Sequence, residues 1–157
     1  MIQRIQTVFL LLTVIVTGLL FYMPVITLNM PGATPEQTDI FQFYTTKYIQ
    51  AGTPPVFIEF NWFSMVLNIL ITGLAFLSIF LYKKRFLQLR LCLVNIILML
   101  GIIILVSVQA YNITKPDGEW HLDLAFAFPI IGIILTWLAL RGIVKDIALL
   151  KSYDRIR

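Results

Sequence analysis

The chain has 157 residues, of which 59% are apolar and 13% charged, with a mean hydropathy of +0.89 and a formal net charge of +4. A soluble domain carries roughly a quarter charged residues, so this chain has about half the polar coat that water demands. That excludes an ordinary soluble enzyme or nucleic-acid-binding domain, and the length fits one domain, residues 1–157, in a lipid bilayer. A single cysteine, Cys92, excludes an intrachain disulfide, and its apolar surroundings argue against a reactive thiol.

Taken in chain order, four apolar stretches are long enough to cross a core of about 30 Å at about 1.5 Å per residue. They fall near residues 5–23, 62–82, 91–111 and 122–140. The first follows Arg4 as a secretory signal would, but it ends Phe21-Tyr22-Met23-Pro24 without a small-x-small cleavage site, and so reads as a retained anchor. The third is the most apolar: Leu93–Val108 holds twelve Leu, Ile or Val residues and no charge. The spacing predicts an all-α transmembrane protein, a four-helix antiparallel membrane bundle.

Lys and Arg set the orientation. With both termini cytoplasmic, the inner side holds Arg4, Lys83, Lys84, Arg85, Arg90, Arg141, Lys145, Lys151, Arg155 and Arg157, ten of the twelve cations. The outer side keeps Lys47 and Lys115 with six of the eight acids. Trp62, Trp120, Tyr22 and Tyr111 fall at outer ends, the headgroup level that such rings prefer.

The first outer loop, 24–60, is too long and too aromatic for a linker. Pro-Gly at 31–32 and Pro-Pro at 54–55 divide it into Val25–Leu28, Phe41–Thr45 and Val56–Phe60, each with strand-like composition. A small extracytoplasmic β-rich cap is expected, with a short helix around Phe41–Ile49 as the rival. Residues 83–90 form a short cytoplasmic loop, so the second and third spans are antiparallel neighbours. The second outer loop, 112–121, carries the turn signal Lys115-Pro116-Asp117-Gly118. Pro129 is expected to kink the fourth span. In the tail, 141–157, Ile143, Ile147 and Leu150 continue the helical spacing, so the last helix runs on or bends at Gly142.

Met1-Ile2-Gln3-Arg4-Ile5-Gln6-Thr7 opens the chain, Leu89-Arg90-Leu91-Cys92 begins the third span, and the tail reads Arg141-Gly142-Ile143-Val144-Lys145-Asp146 then Ser152-Tyr153-Asp154-Arg155-Ile156-Arg157. With the four-span layout, these resemble the domain-of-unknown-function 4293 (DUF4293) family of small four-span inner-membrane proteins, of Bacteroidota type, over essentially the whole chain. The resemblance implies a bacterial inner membrane and brings no catalytic residue. It also makes the sequon Asn112-Ile113-Thr114 a chance match.

The span interiors contain no Asp, Glu, Lys, Arg or His, the groups that proton relays, coupled transporters and intramembrane proteases bury. Neither paired repeats nor broken helices mark a secondary transporter. His121 beside Asp117, Glu119 and Asp123 lacks strong ligand spacing and reads as a solvated helix start, so no metal or other cofactor is expected. The polar residues of the spans are Thr13, Thr17, Asn68, Thr72, Ser78, Asn95, Ser107 and Thr136, with Gly18, Gly73, Gly101 and Gly132. Such residues usually make helix contacts. Depth matching sets Asn68 against Thr17 or Gly18 and Ser78 against Asn95. At the inner ends, Arg4 could reach Asp146, against local pairing such as Lys151 with Asp154.

The function that follows is a non-catalytic accessory or scaffold protein, contacting a membrane-protein partner through Phe41, Phe43, Tyr44 and Tyr48. Lys83, Lys84, Arg85, Arg141, Lys145, Lys151, Arg155 and Arg157 are candidates for anionic lipid or for that partner, at about 1 kcal/mol per cation near the surface. A small channel or transporter is the alternative.

Overall fold

The computed structural model describes the backbone of residues 2–30, 37–41, 45–50, 56–113 and 119–154, and the side chains of 5–27, 61–82, 84–109, 111 and 123–149. Four helices, α1 (Ile2–Leu19), α2 (Trp62–Phe80), α3 (Arg85–Ile113) and α4 (Phe128–Asp154), alternate with five strands. These are β1 (Ile26–Met30), β2 (Gln37–Phe41), β3 (Thr45–Gln50), β4 (Val56–Phe60) and β5 (Glu119–Leu122).

The helices form a cyclic antiparallel bundle. Each touches its two sequence neighbours, α1 also packs along α4, and the pairs α1/α3 and α2/α4 lie diagonally opposite. One end carries the sheet. The other carries the α2–α3 turn and the basic residues.

In every helix the buried positions recur at alternating steps of three and four: 6, 10, 13 and 17 in α1, continued by Leu20 just past its end; 64, 68, 71, 75, 78 in α2; 88, 92, 95, 99, 102, 106 in α3; and 129, 132, 136, 139, 143, 146 in α4. A repeat of about 3.5 residues is the seam of a left-handed coiled coil. Its occupants invert the soluble pattern. Eleven polar side chains among the described residues are buried, whereas Leu, Ile and Phe, such as Leu11, Ile15, Leu77, Ile97 and Ile134, face outward. In water such a surface would aggregate; in lipid it is the favourable one.

Three helical segments, Trp62–Phe80, Arg85–Gln109 and Leu124–Leu149, are long and apolar enough to cross a membrane, and the apolar helix Ile5–Leu19 is shorter. This is a membrane protein.

The strands form one antiparallel sheet in the order β4-β3-β2-β1-β5. β1 lies between β2 and β5, with Ile26 opposite both Phe41 and Leu122. Val25 and Ile26 bury with Leu20, Val106 and Ala125, which seats the base of the sheet in the bundle. A bulge at Thr46/Lys47 interrupts the β3–β4 ladder.

Several boundaries differ from the sequence expectation. Phe41 ends β2 and pairs with Thr46 of β3, so the strand expected over 41–45 divides between two strands, and residues 42–44 lie outside the described residues. Aromatic content marked the region, but cross-strand pairing sets strand limits. The rival helix over 41–49 gives way to β3. Most of the loop 83–90 is helical: a 3-10 turn at Leu81–Lys83 and one residue, Lys84, separate α2 from α3. The sequence Arg85-Phe86-Leu87-Gln88-Leu89-Arg90 is rich in good helix formers, and its charges hid that propensity. Residues 119–122, read as loop and helix start, form β5.

Pro129 is the second residue of α4, after a 3-10 turn at Leu124–Ala127, so it starts the helix and interrupts none of it. Proline is accommodated there because first-turn N–H groups have no partner within the helix. The same helix passes through Gly142 unbroken to Asp154.

Candidate functional site

The seam sorts its polar residues by chemistry. Hydroxyls satisfy themselves on their own helices: Thr13 Oγ1 donates to the Phe9 carbonyl at 3.0 Å, Thr136 Oγ1 to Gly132 at 2.8 Å, and Ser78 Oγ to Leu74 at 2.8 Å. Such bonds to the carbonyl four residues earlier leave the hydroxyl oxygen able to accept. Amides need partners elsewhere, and they supply most of the links between helices. Asn68 Nδ2 donates to the Thr17 carbonyl at 3.2 Å, and Thr72 Oγ1 lies 3.1 Å from Thr17 Oγ1, joining α2 to α1. Near the sheet end, Ser64 Oγ donates to Gln109 Oε1 at 3.1 Å; near the other end, Gln88 Nε2 donates to the Ser78 carbonyl at 3.0 Å.

The most charged part of the interior lies at the basic end, where three helices meet. Gln6 Nε2 of α1 donates to Asp146 Oδ2 of α4 at 3.0 Å, and Arg85 Nη1 of α3 stands 3.7 Å from the same oxygen. An ionised carboxylate can only accept, which fixes the orientation of the Gln6 amide. The Asp146 side chain is 8% exposed and that of Arg85 is 23% exposed. The bond to Gln6 therefore lies in the interior, while the guanidinium reaches the boundary. Gly142 makes room: a Cβ there would lie 2.9 Å from Gln6 Cγ and 3.1 Å from Nε2. The sequence expected a cross-helix partner for Asp146 and named Arg4, whose side chain lies outside the described residues. Among the described residues Arg85 and Gln6 are its cross-helix partners, because the early start of α3 brings Arg85 under α4.

The other candidates are placed as follows. Lys84, Arg141 and Lys145 are exposed, and Arg141 lies over the Trp137 ring at 5.7 Å, a cation–π contact. The side chains of Lys83 and Lys151, with Arg155 and Arg157, lie outside the described residues. So do those of Phe41 and Tyr48, whose backbones sit in β2 and β3, and the whole of Phe43 and Tyr44. Of Asp117, Glu119, His121 and Asp123 only Asp123 is described at side-chain level, and it accepts from Thr27 Oγ1 at 2.5 Å, fastening β1 to the 3-10 turn that precedes α4. Cys92 is buried and free, in a cluster with Leu10, Ala139 and Ile143.

Of the depth-matched residues, Asn68 meets Thr17, the first of its two expected partners, and Ser78 and Asn95 are both buried. Gly18 makes no close approach, since a Cβ there would meet nothing within 4 Å; it is half-buried, one position off the seam. Ser78 and Asn95 share no hydrogen bond. The Ser78 hydroxyl donates to its own helix and both amide atoms of Asn95 are unpartnered, because depth alone does not say which way a seam residue faces. Gln6, Ser64 and Gln88 were missed as interior residues, although their steps to Thr13, Asn68 and Asn95 follow the heptad spacing.

One family model, described as Domain of unknown function (DUF4293), matches residues 2–156. No curated protein matches the chain.

Proposed function

The chain belongs to the DUF4293 family over essentially its full length, and from that premise we propose that it is a non-catalytic accessory or scaffold protein of a bacterial inner membrane. In this reading α1 is a fourth span, both termini are cytoplasmic, and the sheet caps the bundle outside. Two features support the fourth span. The 18 residues of α1 reach about 27 Å. Its bonds to α2 at Thr17 and to α4 at Gln6 hold it at the depth of helices that can cross. The positive-inside bias supports the orientation.

The observation that carries the scaffold role is the sheet. Among the described residues β4 and β5 each pair with a single strand, which leaves a row of main-chain donors and acceptors along each edge. Open edges are natural sites for an added strand. Phe41, Phe43, Tyr44 and Tyr48 belong to this region, and the basic residues at the far end would hold anionic lipid. The polar interior favours a second reading, a small channel or transporter, since Thr13, Thr17, Asn68, Ser78, Asn95 and Thr136 converge on one seam.

Mild-detergent purification from native membranes tests the choice. A stoichiometric membrane-protein partner, retained by the parent and lost from Phe41→Ser/Tyr48→Ser, supports the scaffold. The absence of any such partner, together with solute flux through the purified protein in liposomes, supports the channel.

A further inference from the structure

Asn95 is 1% exposed, and neither its Nδ2 nor its Oδ1 has a hydrogen-bond partner. Its level follows from the seam. Met99, one step toward the sheet, meets Gly132, and Cys92, one step the other way, clusters with Leu10, Ala139 and Ile143. Asn95 therefore lies at the level of Thr136 on α4, Thr13 on α1 and Ala75 on α2, all fully buried. Three of these four side chains are short, so the middle of the bundle is lined by small groups around one unsatisfied amide.

A second orphan lies farther toward the sheet. Asn68 gives one N–H to the Thr17 carbonyl, yet its Oδ1 is unpartnered, and Thr17 adjoins Gly132 at the Met99 level. On α2 Asn68 is seven positions from Ala75, two seam steps and about 10 Å along the axis from the Asn95 level, so each amide has its own surroundings. A short threonine can return its proton to its own backbone; an asparagine with two donors and an acceptor cannot complete its set that way.

We propose that the centre of the bundle is a hydration site, in which ordered water is held by Asn95 together with Thr13 and Thr136. The orphaned amide of Asn95 supplies donors and an acceptor, and the Thr13 and Thr136 oxygens can still accept. This matches the two to four polar partners that a buried water requires. A metal cation is the wrong occupant. Asp146, the only acid in the described seam, lies ten residues from Thr136, about 15 Å along α4. A charge at the Asn95 level would be uncompensated. The inference rests on the interior geometry and is independent of the scaffold reading.

Water-edited solid-state NMR on the full chain in liposomes tests it, with bulk and bound water as the probe. The Asn95 side-chain amide receives magnetisation from water, whereas the Met99 methyl, one step along the same seam, does not. The Asn95 signal weakens in Thr136→Val, which removes one acceptor of the site at nearly constant volume. Transfer to Asn95 no greater than to Met99 in the parent protein overturns the proposal without any variant having to fold. An unchanged Asn95 signal in folded Thr136→Val overturns the shared site.

Discussion

Asp146→Ala lowers the stability of the bundle by about 1–3 kcal/mol, measured by reversible unfolding in mixed micelles, because it orphans a buried amide and releases a guanidinium. The magnitude is set mainly by Gln6. Its Nε2 gives its proton to the carboxylate inside the protein, whereas Arg85, longer in reach and 23% exposed, can turn to water. Asp146→Asn keeps an acceptor for Gln6 and loses less. Gly142→Ala separates packing from charge. Its new methyl would sit 2.9 Å from Gln6 Cγ, so Gln6 moves and the bond to Asp146 breaks with the carboxylate intact. If Asp146→Ala is as stable as the parent while Gly142→Ala is not, the contact of α1 with α4 is steric and the hydrogen bond is incidental.

The second large effect reverses intuition from soluble proteins. Ala75→Leu destabilises by about 1–3 kcal/mol or prevents assembly, since Ala75 is fully buried on the seam between Ile71 and Ser78. Leu77→Ala, two residues on, changes stability by no more than about 0.5 kcal/mol, because Leu77 is half exposed on the outer face. In a soluble core, trimming a buried leucine costs about 2–5 kcal/mol. Here enlarging the alanine does the damage. Equal and small effects from both substitutions in a reconstituted bilayer would show that α2 does not present this face to its neighbours.

The two results explain which parts of the protein were legible in the sequence. Helix number and membrane character followed from long runs such as Leu93–Val108, because hydropathy needs no knowledge of facing. The seam was legible only in the complementary signal. Lipid and interior both accept Leu and Ile, so hydrophobic periodicity fades, while small and polar residues keep the heptad: Ser64, Asn68, Ala75 and Ser78 in α2, and Gly132, Thr136, Ala139 and Asp146 in α4. Ser107 showed the limit of counting polar residues without phase, since it faces outward and bonds only to Ile103.

The Gln6–Asp146 contact was out of reach, as it joins residues 140 apart and depends on how two helices rotate. β5 was hidden for a related reason. Glu119–Leu122 is a strand only because β1 offers an edge to it.

The central claim is a four-span bundle with its basic end in the cytoplasm and its sheet outside, and cysteine labelling in spheroplasts tests it most directly. On a Cys92→Ala background, single cysteines replace Gln3, Thr34, Asp117 and Ser152 and meet a membrane-impermeant thiol reagent. Thr34→Cys and Asp117→Cys are expected to label in intact spheroplasts, while Gln3→Cys and Ser152→Cys label only after lysis. Labelling of Gln3→Cys and Thr34→Cys from the same side would mean that α1 does not cross, and labelling of Ser152→Cys with silence at Asp117→Cys would invert the protein.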